Sequence, residues 1–197
     1  MRVVSQGPKN GSVFINDETV GTTPWISPGD ARLADLNCAY AIIPVDQTSH
    51  YLKATGFGFS LPNGSIIKGI QVDVRRNANN LNTTIADYSV KIVKGGTIQG
   101  DEKALEGCWG TGIGNLIYVA YGSSTDLWGL TWTAEDISAS DFGFVISAKG
   151  CNPEWSPDVA NIDHIRITVY YEFGLTSYSS LPFGAFPGIP QRRPYTV

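Results

Sequence analysis

The stretch "DHIRITVYYEF", residues 163–173, decides the fold class. Read with a period of two, it sets Ile165, Ile167, Val169 and Tyr171 on one side and His164, Arg166 and Thr168 on the other. A helix would scatter those four apolar residues around its circumference. A strand gathers them on one face, so the segment reads as a strand with one dry and one wet surface. The same phase recurs three times. In "KGIQVDVRR" (68–76) Ile70, Val72 and Val74 oppose Gln71, Asp73 and Arg75. In "DYSVKIVKGG" (87–96) Tyr88, Val90 and Ile92 oppose Ser89 and Lys91, and in "DFGFVISAKG" (141–150) Phe142, Phe144 and Ile146 oppose Gly143 and Ser147. Half-wet strands of this kind belong to an antiparallel sandwich, because the strands of a parallel α/β sheet are covered on both faces and read as unbroken apolar runs.

Working outward, "NCAYAII" (37–43), "ATGFGFSL" (54–61) and "LIYVAYG" (116–122) are weaker strands, and "SVFINDETVG" (12–21) reads as an early hairpin turning at Asn16-Asp17. Turn clusters at 62–65, 77–82, 94–96 and 151–158 separate them. Roughly eight or nine strands at such spacing predict an all-β, antiparallel β-sandwich of jelly-roll type. One short helical turn is expected in "DLWGLTWTAEDI" (126–137): Thr133 can cap the helix amides while Asp136, three residues on, reaches back. Glu135 and Asp136 then sit in the first turn, where acids suit the helix dipole, and Trp128 and Trp132 fasten the crossover to the sandwich.

Composition agrees with this class. The chain has 197 residues, only 16% charged against about 25% in an average globular protein, and carries 22 glycines, 11 prolines and 22 aromatics. The net charge of −4 argues against direct nucleic-acid binding, which needs clustered cations. Neither an apolar run long enough to span a membrane nor the apolar core of a signal peptide is present in the sequence, and synthesis in a reducing cytosol is expected. The glycosylation tripeptides at Asn10, Asn63 and Asn82 are then chance matches. Cys38, Cys108 and Cys151, odd in number and widely spaced, fit neither a disulfide framework nor a zinc site.

Three parts are expected: an N-terminal arm and hairpin (1–27), the sandwich (28–173) and an extended C-terminal arm (174–197). The last part holds four prolines, two arginines and no acid, so it carries +2 and leaves −6 on the rest. Its prolines forbid helix and central strand. Its apolar groups Tyr178, Phe183, Phe186, Ile189 and Tyr195 need a surface to bury them, so with Arg192 and Arg193 they are the candidate partner-binding residues.

No catalytic constellation emerges. Only His50 and His164 exist, neither at metal-ligand spacing, and His164 reads as a surface histidine on a polar strand face. Asp30, Asp35 and Asp158 are weak calcium candidates. No nucleophile elbow occurs; "GTGIGN" (110–115) lacks the helix and lysine of a phosphate loop; and Asp101 and Glu102, adjacent on a strand, would face opposite ways. No cofactor and no metal is expected. Trp109, Trp128, Trp132 and Trp155 are candidate platforms for a sugar ring, weighed against the commoner use of tryptophan as a core anchor.

The stretches "GFGFSLPNGSIIKGIQVDVRR", "YSVKIVKGG", "YGSSTDLWGLTWTAEDISASDFGFVISAKG" and "DHIRITVYY" resemble a β-sandwich domain of virion proteins of tailed bacteriophages, over about residues 35–171, with "DLWGLTWT" followed by "DI" and "FGF" as the most specific part. The resemblance implies a virion structural protein made in the host cytoplasm, with other virion proteins as partners. A single sandwich with aromatic-rich arms and no fibrous shaft points to a capsid decoration (cement) protein: a homo-oligomer, expected as a trimer, that binds major capsid protein through its arms. The other reading is a receptor- or carbohydrate-binding module of a tail fibre or baseplate.

Overall fold

The computed structural model describes residues 2–79, 85–112, 115–151 and 157–173. Among them ten strands form two five-stranded antiparallel sheets. The strands are β1 (Val3–Asn10), β2 (Val13–Asp17), β3 (Ala39–Ile43), β4 (Tyr51–Thr55), β5 (Ile66–Ala78), β6 (Ile85–Lys94), β7 (Thr97–Gln99), β8 (Ile117–Ser123), β9 (Gly143–Gly150) and β10 (Asp158–Glu172); the one α-helix described is α1 (Ala134–Ser138). From β3 onward the chain crosses between layers at every connection except the β6–β7 hairpin, so that β3-β10-β5-β8 faces β4-β9-β6-β7. That order is a jelly roll.

Two further strands extend it. β1 lies beside β10, and β2 continues the second sheet beyond β4. Residues 1–27 were expected as an arm and a hairpin, and the structure corrects both. β1 and β2 join opposite sheets, and Val13–Asp17 pairs with Thr55–Tyr51 rather than folding back at Asn16-Asp17. Asn16 has a different use: its side chain exchanges two hydrogen bonds with the Trp25 backbone, at 2.7 and 2.9 Å.

β10 is the spine of its sheet. On one side it carries β5 from Ala160↔Ala78 to Glu172↔Ile66; on the other it is shared by β3, against Asp158–Ile162, and β1, against Arg166–Glu172. Ile165, Ile167 and Val169 are fully buried against Ile70, Val72 and Val74 of β5 and Val90, Ile92, Phe144 and Ile146 of the other sheet, as the alternation requires. Each such side chain contributes about 2 kcal/mol of transfer free energy.

Bulges reset the phase in two places. In β6 the register shifts between Asp87 and Ser89, so Tyr88, expected on the dry face, is 45% exposed while Asp87 turns inward. In β10 a shift between Ile162 and His164 lets Ile162 and Ile165, three apart, both reach the core.

The inward turn of Asp87 meets Arg76, which continues the buried phase of β5. The guanidinium lies 3.5 Å from the carboxylate and 4.4 Å over the Trp109 ring. Trp109 Nε1, the Tyr121 hydroxyl and the Leu105 amide all donate to Asp87, at 2.8 to 3.1 Å. Burial, and the carboxylate it donates to, push the Tyr121 phenol well above its ordinary range. Arg76 Nε has no hydrogen-bond partner among the described residues.

Trp109 arrives on a strap. After β7, residues 101–109 follow the edge of β6, with hydrogen bonds from Lys103 N to Val90 O and from Trp109 N to Ile85 O; residues 110–112 then bridge to Ala78 of β5. Cys108 is disulfide-bonded to Cys151, just past β9, while Cys38 is free. The expectation that the cysteines form no disulfide is therefore corrected. The pair is 43 residues apart in sequence but joined where the strap crosses the end of β9, a proximity spacing alone does not reveal.

The helical turn is as expected. Thr133 Oγ1 accepts from Asp136 N at 3.1 Å, and Asp136 Oδ2 accepts from Thr133 N at 2.9 Å. Trp128 is fully buried, its Nε1 donating to Ile70 O, and Trp132 packs edge-on against Phe142. Gly122 leaves the space for this lid: a Cβ there would lie 2.7 Å from Trp128 Nε1.

Breaking the Cys108–Cys151 bond in a double Ser variant should lower unfolding free energy by up to about 4 kcal/mol, the chain-entropy value for a loop of this size, read from denaturant melts with and without reductant. Asp87→Ala should cost roughly 3 kcal/mol or more by stranding Arg76, and pairing Asp87→Leu with Arg76→Met should recover most of that loss in the same melts.

Candidate functional site

The outer face of the β3-β10-β5-β8 sheet is polar because it carries the wet phase of four strands. Its residues lie in cross-strand rows. His164, Arg75 and Tyr118 form one row, and Arg166, Asp73 and Ala120 the next. These side chains satisfy one another. Arg166 Nε bonds Asp73 at 3.1 Å and its guanidinium stacks 4.0 Å over the Tyr118 ring. Arg75 bonds the fully buried Asp163 at 2.6 Å, and Asp163 also accepts from the Leu36 amide at 2.7 Å. His164 Nδ1 pairs with the Tyr118 hydroxyl at 2.8 Å, and its Nε2 faces Asn10 Oδ1 at 2.9 Å. At 6% exposure His164 is not the surface histidine expected: β8 and β1 cover it from both sides.

The next row, Tyr40, Asn161 and Asn77 from β3, β10 and β5, is different. It floors a pocket of about 430 Å³. Asn79 follows β5 on the rim, Leu36 and Leu116 form apolar walls, and the loop before β3 contributes Asp30, Asn37 and Cys38. Asn161 Nδ2 bridges the side-chain oxygens of Asn77 and Asn79, both at 3.1 Å, and Asn77 Nδ2 donates to Gly112 O at 2.7 Å. Strand position and this chain of amides fix which atoms remain. Among the described residues Asn161 Oδ1 is left as an acceptor and Asn79 Nδ2 as a donor, and the Tyr40 hydroxyl, the Asn37 amide and the Asp30 carboxylate make no side-chain hydrogen bond. Burial, and then Asp163, push the Cys38 thiol up to about 11, so it stays protonated near neutral pH. The lining thus offers hydrogen bonds of both senses, one ring, two aliphatic walls and a single carboxylate.

The residues singled out from sequence are elsewhere. Trp109 and Trp128 are 1% and 0% exposed, so neither presents a ring to a ligand, which corrects their candidacy as a platform. Their indole N–H groups found carboxylate and carbonyl partners inside, and that made burial affordable. Trp132 is half-buried, its Nε1 given to Leu127 O. The candidate arm residues Tyr178, Phe183, Phe186, Ile189, Arg192, Arg193 and Tyr195, and Trp155, lie outside the described residues. Asp30 lines the pocket, Asp35 accepts from Asn37 N, and Asp158 accepts from Val159 N. Among the described residues no three His, Cys, Asp or Glu side chains are grouped to hold a metal. Glu102 is taken up by Ser89 and by the amides of Val90 and Ala104. Asp101 lies 3.6 Å from Lys103.

Asn37, Tyr40, Asn77, Asn79 and Asn161 were missed by sequence reading. Asn77 and Asn79 had been read only as part of a turn cluster. The available signal was uncharged amides at alternate positions on the wet phase of strands, where charged residues are the usual choice.

No known family's sequence profile matches the chain, and no curated protein matches it. Among solved structures it is similar to the CBM22-1 and GH10 modules of endo-1,4-β-D-xylanase 10B from Clostridium thermocellum, a structure in complex with xylohexaose, at 10% identity and a TM-score of 0.33. The match covers 88% of this chain and 28% of that one.

His164 gives the polar face a pH dependence. Burial lowers its pKa, Arg166 and Arg75 lower it further, and Asp163 and Asp73 only partly offset them. The unfolded chain therefore takes up a proton on this side chain before the folded one does. Its contribution to stability is complete above its ordinary value of 6.5 and falls as pH drops through that value. Melts between pH 7.5 and 5 should show this loss, and His164→Gln should flatten the part of the slope that it causes.

Proposed function

We propose that the protein is a non-catalytic binding module that holds a saccharide in the pocket over β3, β10 and β5. The observation that carries this reading is the row Tyr40, Asn161 and Asn77 with Asn79. On a face where neighbouring polar groups are paired, these amides keep one acceptor and one donor free among the described residues. A sugar hydroxyl both donates and accepts, so it suits Asn161 Oδ1 and Asn79 Nδ2 together. The C–H faces of a pyranose suit Leu36, Leu116 and the Tyr40 ring. Placement on three paired strands holds the donor set in position before the ligand arrives, which lowers the ordering cost of binding. A single carboxylate is too few for the acid and base or nucleophile of glycoside hydrolysis, and the protonated Cys38 lacks an activating partner. On a phage particle, the setting the sequence resemblance implies, such a module belongs to a tail fibre or baseplate that reads a cell-surface glycan.

The second reading, a capsid decoration protein, is favoured by the edge of the second sheet. β2 ends that sheet, and Val13 and Ile15 on it are 48% and 47% exposed, so a coat-protein strand could add there. Counting copies in purified particles separates the two: hundreds support the shell role, a few to dozens the appendage role.

A glycan array probed with the full chain should give hits that Tyr40→Ala and Asn161→Ala each weaken at least tenfold in titration, with the fold intact by circular dichroism. An array without hits, or hits untouched by both substitutions, would overturn the saccharide reading.

A further inference from the structure

We propose, resting on the saccharide reading, that Asp30 makes the pocket charge-selective: it admits uncharged and amine-bearing saccharides and turns away acidic ones. The lining holds this one carboxylate and no Lys, Arg or His. Asp30 is exposed at the mouth and takes part in no salt bridge among the described residues, so its charge is felt by whatever enters. Arg75, in the neighbouring cross-strand row, is committed to Asp163 and, through Nε, to Leu116 O. Recognition of a uronate or sulfate relies chiefly on a free cation, and here the donors left free among the described residues are neutral, the Asn37 and Asn79 amides and the Tyr40 hydroxyl. At Cys38, inside the pocket, burial is the first cause of the upward push on the thiol, and the carboxylates of Asp163, Asp30 and Asp35 add to it while Arg75 opposes them. An ammonium on a sugar would meet Asp30 as an ion pair, whereas a carboxylate would meet its repulsion with only the neutral donors of Asn37, Asn79 and Tyr40, and no cation of the lining, to offset it.

Three probes with one β-1,4-glucan backbone test this: cellohexaose, the fully deacetylated chitosan hexamer, and the hexamer oxidised to glucuronate. Titrated into the full chain at low salt, the amine form should bind roughly two- to fivefold more tightly than the neutral form, the range for one exposed ion pair. The uronate form should bind more weakly than the neutral one, and added salt should shrink both gaps. Asp30→Asn, a change at an exposed side chain with no salt bridge among the described residues, should bring the three affinities together. Equal affinities in the unaltered protein, or gaps that survive Asp30→Asn, would overturn charge selection while leaving the saccharide reading in place. Failure of all three to bind, together with an array without hits, would remove both.

Discussion

The Asp87 carboxylate ties the two sheets together at the end of the sandwich where the pocket opens. It belongs to β6, yet Arg76 of β5, Tyr121 of β8 and Trp109 of the strap all converge on it. A charge taken out of water at this depth is tolerated only when it is paired and its lone pairs are filled; three hydrogen-bond donors, from Leu105, Trp109 and Tyr121, and the Arg76 guanidinium do so. The consequence reaches the surface. The strap that brings Trp109 inward continues to Gly112, whose carbonyl orients the Asn77 amide; Asn77 and Asn79 then orient Asn161. The disulfide holds the same strap from its other side. The donor set of the pocket thus depends on a buried ion pair it does not touch.

Both polar arrangements exist because strands were interrupted. An unbroken alternation in β6 would have kept Tyr88 inside and put Asp87 in water, stranding Arg76. The bulge trades an aromatic for a carboxylate at one level of the core. In β10 the shift at Asp163 places a fully buried carboxylate where Leu36 N and Arg75 reach it, which fixes the loop that forms one pocket wall. Each bulge costs ladder pairing locally and gains a hydrogen-bonded anchor for a segment that would otherwise have few contacts.

Alternation in β5 and β10 was legible because their apolar sets face one core and a slip by one residue would expose all of them. At β9 the Phe142, Phe144 and Ile146 face was legible, but the face read as wet is buried too, with Val145 in a second cluster beside Tyr51 and Val93. The cap of α1 was legible for another reason: Thr133 and Asp136 act within four residues of chain. What sequence could not carry was contact between distant segments. Cys108 finds Cys151 because the strap crosses β9, and β1 finds β10 because its edge is left open beyond β3. Tryptophan was the misleading signal. A large ring with one polar atom serves equally for stacking on a ligand and for filling a core, and only the partners inside, Asp87 for Trp109 and Ile70 O for Trp128, decide between them.

The pocket was hidden for a related reason. Asparagine on a strand reads as an interruption, and its meaning depends on which residue stands opposite. On this face the rows of His164 and Arg166 close on themselves through ion pairs, a ring stack and matched hydrogen bonds, which leaves little for a ligand. In the row of Asn161 every member is uncharged, and an amide that gives one atom to its neighbour still presents the other. Paired charges would have made the row as self-sufficient as its neighbours, and apolar side chains would have left it without donors. Amides hold the strands in register and remain half-committed, which suits a surface that is rigid before binding and has hydrogen bonds to exchange on contact.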